Sequence, residues 1–157
     1  MEFLTEFAVQ YRKWILLVHI AGAIVGLGAV VAVDLLLLWF KLKPKSLGPV
    51  VVKVAPLLSL QVWIGLFMAS ISGLLLFLPI RGLEDYSIFQ FKMILVLALF
   101  LNGIFLNVWV NPRFEKLLPE WEQKTKRVKK FMLIAGIATA ISFVSWWGVI
   151  ILMKVFY

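Results

Sequence analysis

Few residues in this sequence could do chemistry, and the most distinctive is its one histidine, His19, in the segment HIAGAIVGLG. A neutral imidazole can ligate a haem iron or transfer a proton. Asp34 lies later in the same apolar run, and Lys92 lies near the start of another. Ionisable side chains in such runs are rare unless they are paired or used. The chain therefore has three candidates for a functional site.

Other kinds of site are excluded by what the sequence lacks. With no cysteine, the chain cannot form disulfides, hold an iron–sulfur cluster or use thiol catalysis. A typical zinc or copper site needs three or four protein ligands, which a chain with one histidine and no cysteine cannot assemble. His19 is thus the one candidate metal ligand, and it cannot complete a zinc or copper site by itself.

Helical spacing places two glycines on the same side of the helix as His19. At 100° per residue, Gly22 and Gly26 both lie within about 60° of it. A small-xxx-small pair lets another backbone or a flat ligand come close, so the glycines indicate either helix packing or a gap for a cofactor. A second strip of small residues lies roughly opposite, which predicts contacts on both sides of this helix: Ala21, Gly28 and Ala32.

The composition places these residues in a membrane. The 157 residues are 63% hydrophobic and have a mean hydropathy of +1.01, well outside the range of soluble domains. Helices are predicted over 14–40, 57–80, 89–110 and 120–153, and each can supply the roughly 20 apolar residues that a bilayer requires. The sequence therefore predicts one all-α domain over 1–157, a polytopic membrane protein folded as an antiparallel bundle of four transmembrane helices.

Prolines and basic residues predict the loops and their orientation. Pro44 and Pro49 should break the first connection, Pro56 should begin the second helix and Pro112 should end the third. Of the 16 Lys and Arg residues, eleven fall in the first and third connections. The positive-inside rule then puts both basic loops in the cytoplasm and both termini outside, in the plasma (inner) membrane. The net charge of +8 is mostly a topology signal, so no nucleic-acid partner is expected.

The polar residues of the predicted spans fall into two layers. His19 and Lys92 lie near the outer ends of their helices, whereas Asp34, Gln61 and Asn107 lie near inner ends. Each of these last three is on the smaller face of its helix, so we expect an inner polar cluster. The layer between is almost wholly apolar, which argues against a proton wire or an ion channel.

Two segments carry a resemblance to a known family. The segments KWILLVHI and FQFKMILVLALFLNG, with the four-helix layout, resemble the haem-b-containing, oxygen-independent protoporphyrinogen oxidases and the related copper-resistance D-type membrane domains. A helix-one histidine and a helix-three lysine are characteristic of that family, and they match His19 and Lys92. The resemblance implies haem b within the bundle, often in a dimer, and membrane redox chemistry. Gln90 and Asn102 depart from it at positions where histidine is expected, which indicates a divergent branch.

Two classes of function follow, and the sequence does not decide between them. In the first, His19 ligates the iron of haem b, Gly22 and Gly26 leave room for the macrocycle, and Lys92 pairs with a propionate. In the second, the chain is a non-catalytic subunit or module of a larger membrane complex, or a homodimer, and these residues serve packing. The lipid bilayer is a partner in both. Catalytic residues, and whether the chain is an enzyme at all, stay open.

Overall fold

The computed structural model describes residues 2–42, 44–80, 87–121, 123 and 125–153, and these residues are helical with short turns and form no strand. Its helices are α1 (Glu2–Gln10), α2 (Arg12–Leu42), α3 (Pro44–Phe77), α4 (Ser87–Phe105), α5 (Asn111–Leu117) and α6 (Lys126–Met153). A π-helical turn, Leu106–Val110, joins α4 to α5, and a 3₁₀ turn, Leu118–Glu120, follows α5. The predicted all-α bundle is confirmed.

Four segments are long and apolar enough to cross a bilayer. They are Arg12–Phe40, Gly48–Phe77, Ser87–Glu120 and Lys126–Leu152, and the shortest has 27 residues. Because about 20 residues suffice for a perpendicular span, each segment can tilt or extend beyond the hydrocarbon core. The α2–α3 pair packs along most of its length and α4 packs on α6, so the bundle consists of two helix pairs.

Of the prolines in the first connection, Pro44 alone lies at a helix boundary. α3 begins at Pro44 rather than at residue 57, and Pro49 and Pro56 both lie inside it. Pro44 is the first helical residue, where a missing N–H is harmless. Each internal proline removes one hydrogen bond, but the extended contact of α3 with α2 keeps the helix continuous. Pro44 thus marks a helix boundary, whereas the predicted break at Pro49 and the predicted helix start at Pro56 are wrong.

The third span also continues past its predicted end at 110. Asn111 donates its backbone N–H to the Leu106 carbonyl, five residues back, and this closes the π-helical turn. Pro112 then occupies the first turn of α5. A proline ring clashes with the carbonyl of the preceding turn in a regular helix, and the wider turn before Pro112 gives that ring space. Pro112 thus widens the helix and does not end it.

α6 begins at Lys126 rather than at residue 120, because Thr125 is its N-terminal cap. The Thr125 hydroxyl accepts a hydrogen bond from the Val128 N–H at 3.3 Å and donates one to Glu120 Oε2 at 3.2 Å. The first bond satisfies an N–H that the helix itself cannot pair.

The two larger core clusters lie at different levels of the bundle. Trp146, only 2% exposed, is the largest member of the central cluster, which also contains Ala23, Val30, Leu66, Leu99 and Val149. A second cluster brings together aromatic rings from α2, α5, α6 and the turn that follows the 3₁₀ segment: Phe40, Phe114, Phe131 and Trp121. Both clusters consist of hydrophobic residues, but the buried polar residues Asn102, Ser142 and Ser145 also lie within the spans.

Candidate functional site

His19 is a buried hydrogen-bonding link between α2 and α3. Its Nδ1 lies 2.7 Å from the backbone carbonyl oxygen of Ala69 and 3.3 Å from the Ser72 hydroxyl oxygen. A carbonyl oxygen can only accept, so Nδ1 carries the proton. The Ser72 hydroxyl donates in turn to the carbonyl of Met68 on its own helix. His19 is only 6% exposed, so the imidazole faces the bundle interior.

The helices approach so closely at this level because glycines face each other across the pair. A Cβ on Gly22 would lie 2.7 Å from the Ala69 backbone nitrogen, and a Cβ on Gly65 would lie 2.6 Å from the Gly26 Cα. Both distances are far below van der Waals contact, so only glycine fits at these two positions. The close approach is what brings the Ala69 carbonyl within reach of His19. The glycines and the imidazole therefore act as one packing unit.

The space beside Gly26 is filled by the Trp146 indole from α6. A Cβ at Gly26 would overlap the six-membered ring of that indole. The Trp146 Nε1 is fully buried and has no hydrogen-bond partner among the residues described. A buried unpaired donor costs about 1–3 kcal/mol. Close packing is thus achieved here at the expense of one hydrogen bond.

Lys92 lies on α4 near the His19 end of the bundle. Its side chain is half-buried, and it is close enough to His19 for the two groups to interact electrostatically. Lys92 thus lies toward the same end of the bundle as His19. Gly22 and Gly26, by contrast, face α3 and Trp146, and no hydrogen bond between described residues joins Lys92 to His19.

The predicted inner cluster is not brought together by hydrogen bonds. Asn107 Oδ1 accepts from the Ser59 hydroxyl at 2.8 Å, and Asn107 Nδ2 donates to the Gly103 carbonyl at 3.2 Å. Gln61 has an exposed side chain, and Asp34 is half-buried. Across the parts of the chain that the structure describes, no hydrogen bond or ion pair joins Asp34, Gln61 and Asn107 to one another. Ser59, which sequence reasoning did not single out, is the residue that Asn107 meets.

A second helix-to-helix link was also missed. Asn102 is 8% exposed, and its Nδ2 donates to the Ala138 carbonyl at 2.8 Å, which joins α4 to α6. The sequence did contain a signal for this link, namely an amide side chain in an apolar run. The acceptor could not be predicted, because it is a backbone carbonyl and any residue type can supply one.

The contacts of His19, Gly22 and Gly26 show whether haem fits at the site that the sequence predicted. Histidines that ligate metals usually donate their other ring N–H to a carbonyl or carboxylate, and His19 does so through Nδ1, leaving Nε2 as the ligating atom. However, the space beside Gly22 and Gly26 is occupied by α3 and by Trp146. The residues therefore suit one axial ligand but leave no room for a macrocycle beside the two glycines. Among the residues described, no group of three His, Cys, Asp or Glu could hold another metal ion.

The fold and its surface define the class of protein. Large apolar side chains cover the outside of the spans; Val108, Leu57 and Ile24 are each about two-thirds exposed or more. Such a surface is stable against lipid and not against water. The chain is therefore an integral, multi-pass membrane protein. No family model, curated protein or solved structure matches it.

Proposed function

We propose that this protein is a non-catalytic membrane module that packs against a transmembrane helix of another chain. The observation that carries the proposal is Gln61. It lies within the span Gly48–Phe77, its side chain is exposed, and it makes no hydrogen bond to any residue that the structure describes. A primary amide facing hydrocarbon without a partner costs several kcal/mol. A neighbouring helix that bonds the amide would remove this cost.

Small residues lie on the same side of the α2–α3 pair as Gln61. On α3, Gly65 faces α2 and Leu66 lies in the core, so helical spacing puts Gln61 on the other side of Gly65, away from the core. On α2, the side opposite the core residue Ala23 carries Ala21, Gly28 and Ala32. We call these three residues and Gln61 the back face. A Cβ at Gly28 would meet nothing within 4 Å, so this face is open.

The back face has the composition of a helix interface in a membrane. Small residues allow close backbone approach there, and a polar side chain adds an interhelical hydrogen bond of about 0.6–2 kcal/mol. Inside the bundle, by contrast, His19, Asn102 and Asn107 already bond to neighbouring helices. These interior polar groups thus serve packing. On the back face, by contrast, the Gln61 amide is free to form a hydrogen bond with another helix.

Photocrosslinking in native membranes tests this proposal. A photoreactive amino acid at position 61 should give a discrete product heavier than the chain, and Gln61→Leu should weaken the complex by about 3- to 30-fold, as expected for one interhelical hydrogen bond. The matched control places the photoreactive residue at Ile137, which is 53% exposed on α6, and should give no discrete product. If position 61 reacts only with lipid, the chain has no helix partner at the back face.

A second candidate function is haem b binding in membrane redox chemistry, which the His19 tautomer favours. His19 Nε2 would ligate the iron, Lys92 would pair with a propionate, and the haem would supply one-electron transfer. Gly22 and Gly26 would then serve packing rather than leave room for the macrocycle. An absorbance spectrum of protein purified from haem-supplied cells should show a Soret band if the group binds, and a spectrum without one rejects this function.

The proposed orientation has both termini outside the plasma membrane and both basic loops in the cytoplasm. Its support is the excess of basic residues in those loops, including the exposed Arg113, Lys116, Lys126 and Arg127. Single cysteines at Ser46 and Gln123 should react with an impermeant maleimide only from the cytoplasmic side, and a cysteine at the exposed Glu6 only from outside. The chain has no cysteine of its own, so each signal is unambiguous. The reverse pattern would invert the topology.

A further inference from the structure

α1 is an amphipathic helix that the bundle only partly covers. Ala8 is 1% exposed and packs in a small cluster with Ile15 and Leu76, and it is the buried residue of the helix. By contrast, Phe3 is 75% exposed and Phe7 is 40% exposed. α1 thus contacts the bundle through Ala8, while its phenylalanine side chains form an uncovered apolar surface.

Helical spacing separates the apolar and polar residues of α1. At 100° per residue, Phe3, Phe7 and Leu4 lie on an arc that ends at Ala8, and Glu2 and Glu6 lie on the opposite arc. The rings of Phe7 and Tyr11 pack at a tilt of 41° with their centroids 4.8 Å apart, which extends the apolar arc just past the end of the helix. This pattern, a face rich in aromatic residues opposite charged residues, is typical of helices that lie in a membrane interface.

The exposed face of α1 continues directly into the lipid-facing surface of α2. Tyr11, Trp14 and Val18 follow Phe7 at helical spacing, and their side chains are 42%, 68% and 42% exposed. Trp14 lies at the start of the span Arg12–Phe40, where tryptophan marks the membrane–water boundary. The surface that α2 turns to lipid and the open face of α1 are therefore one continuous stripe.

The junction between the two helices also lies at the membrane surface. Tyr11 and Ile15 retain i→i−4 hydrogen bonds across it, to Phe7 and to Tyr11, whereas α2 begins afresh at Arg12. The first N–H groups of a helix have no partner within it and must be met by water or polar groups. Arg12 and Lys13 are exposed at this point and can reach lipid phosphates. Since α1 ends at Gln10, its C-terminal turn is the part of the helix next to this boundary.

We propose that α1 is an interfacial anchor whose occupant is the lipid of the leaflet on the N-terminal side. Phe3, Leu4 and Phe7 insert at the boundary between headgroups and acyl chains, and Glu2 and Glu6 stay in water. The charges of Glu2 and Glu6 offset those of Arg12 and Lys13 nearby, so nothing here selects anionic lipid, and the partner surface is a zwitterionic leaflet. Ala8 holds the anchor against the bundle, and α1 thereby fixes the depth of the outer end of α2.

Nitroxide accessibility in the full chain tests this proposal. Spin labels are attached to single cysteines at Phe3 and, as a matched control on the opposite arc, at Val9, which is 59% exposed. The protein is reconstituted in phosphatidylcholine vesicles, and power saturation compares oxygen, which concentrates in the acyl region, with a water-soluble nickel chelate. The label at position 3 should be several-fold more accessible to oxygen than to nickel, and the label at position 9 should show the reverse.

Three outcomes would overturn the anchor. Equal nickel accessibility at both positions would place α1 in water. A label at position 3 that neither reagent reaches would show that a protein, such as a second copy of the chain, covers the face. A label at position 9 that prefers oxygen would mean that the helix is buried in lipid all round. A spin label at Ile24, a lipid-facing residue of α2 that is 66% exposed, serves as the reference in each case. It should be more accessible to oxygen than to nickel if the bundle is folded in the bilayer.

Discussion

Gly65→Ala is expected to separate α2 from α3 and to lower the free energy of unfolding by about 3 kcal/mol, at the upper end of the range for overpacking. The added Cβ would lie 2.6 Å from the Gly26 Cα and 2.7 Å from the Gly22 carbonyl oxygen. All of the atoms that it meets belong to backbone, so no rotamer change can make room. The two helices must move apart, and the His19–Ala69 hydrogen bond a turn away must lengthen.

Gly136→Ala on α6 is the matched control, since nothing lies within 4 Å of a Cβ there. Alanine has the higher helix propensity, so this variant should be unchanged or more stable by up to about 1 kcal/mol. Unfolding in mixed micelles of mild detergent and SDS, followed by circular dichroism, measures both variants. If Gly65→Ala and Gly136→Ala unfold at the same SDS fraction, the close α2–α3 approach does not hold the bundle together.

The fold class could be predicted because hydrophobicity alone determines how many spans a chain can have. Four apolar runs predicted four helices, and the structure has them. The helix ends were less predictable, because they depend on tertiary packing. Pro49 and Pro56 normally disfavour a helix interior, but α3 continues through them along the surface of α2. α1 was missed, although Phe3, Phe7 and Tyr11 at a spacing of four residues are a signal for it.

The sequence identified the face of α2 that forms the site, but not the groups on the neighbouring helices that it meets. Gly22 and Gly26 indicated which face of α2 makes a close contact, and that face does meet α3 and Trp146. The partner of His19 could not be predicted, because the Ala69 carbonyl is a backbone group that any residue could supply. Similarly, Asn102 and Gln61 are both amides in apolar spans, yet one is buried and the other is exposed. Which side of a helix faces a neighbour depends on the packing of the whole bundle, and a single residue type does not encode it.

His19→Ala is expected to leave a folded bundle that is less stable by about 1–3 kcal/mol, the usual cost of removing one partner of a buried hydrogen bond. The Ala69 carbonyl would lose the imidazole N–H at 2.7 Å, and the space between His19 and Gly73, where the ring now packs, would be empty. The loss falls short of unfolding because the glycine contacts one and two turns away are unchanged.

Ser72→Ala is the control for His19→Ala. It removes a polar side chain next to the imidazole but keeps the hydrogen bond from His19 to Ala69. The Ser72 hydroxyl donates to the Met68 carbonyl within its own helix, so its removal should cost less than the removal of His19.

SDS unfolding ranks the two variants, and an absorbance scan of each reports on the haem candidate separately. A Soret band that is present in the wild type and in Ser72→Ala, but lost in His19→Ala, would assign the iron ligand. A destabilised His19→Ala with no chromophore in any of the three proteins would assign His19 to helix packing alone. If His19→Ala is as stable as the wild type, the hydrogen bond to Ala69 does not secure the α2–α3 pair, and the close glycine contacts alone hold it.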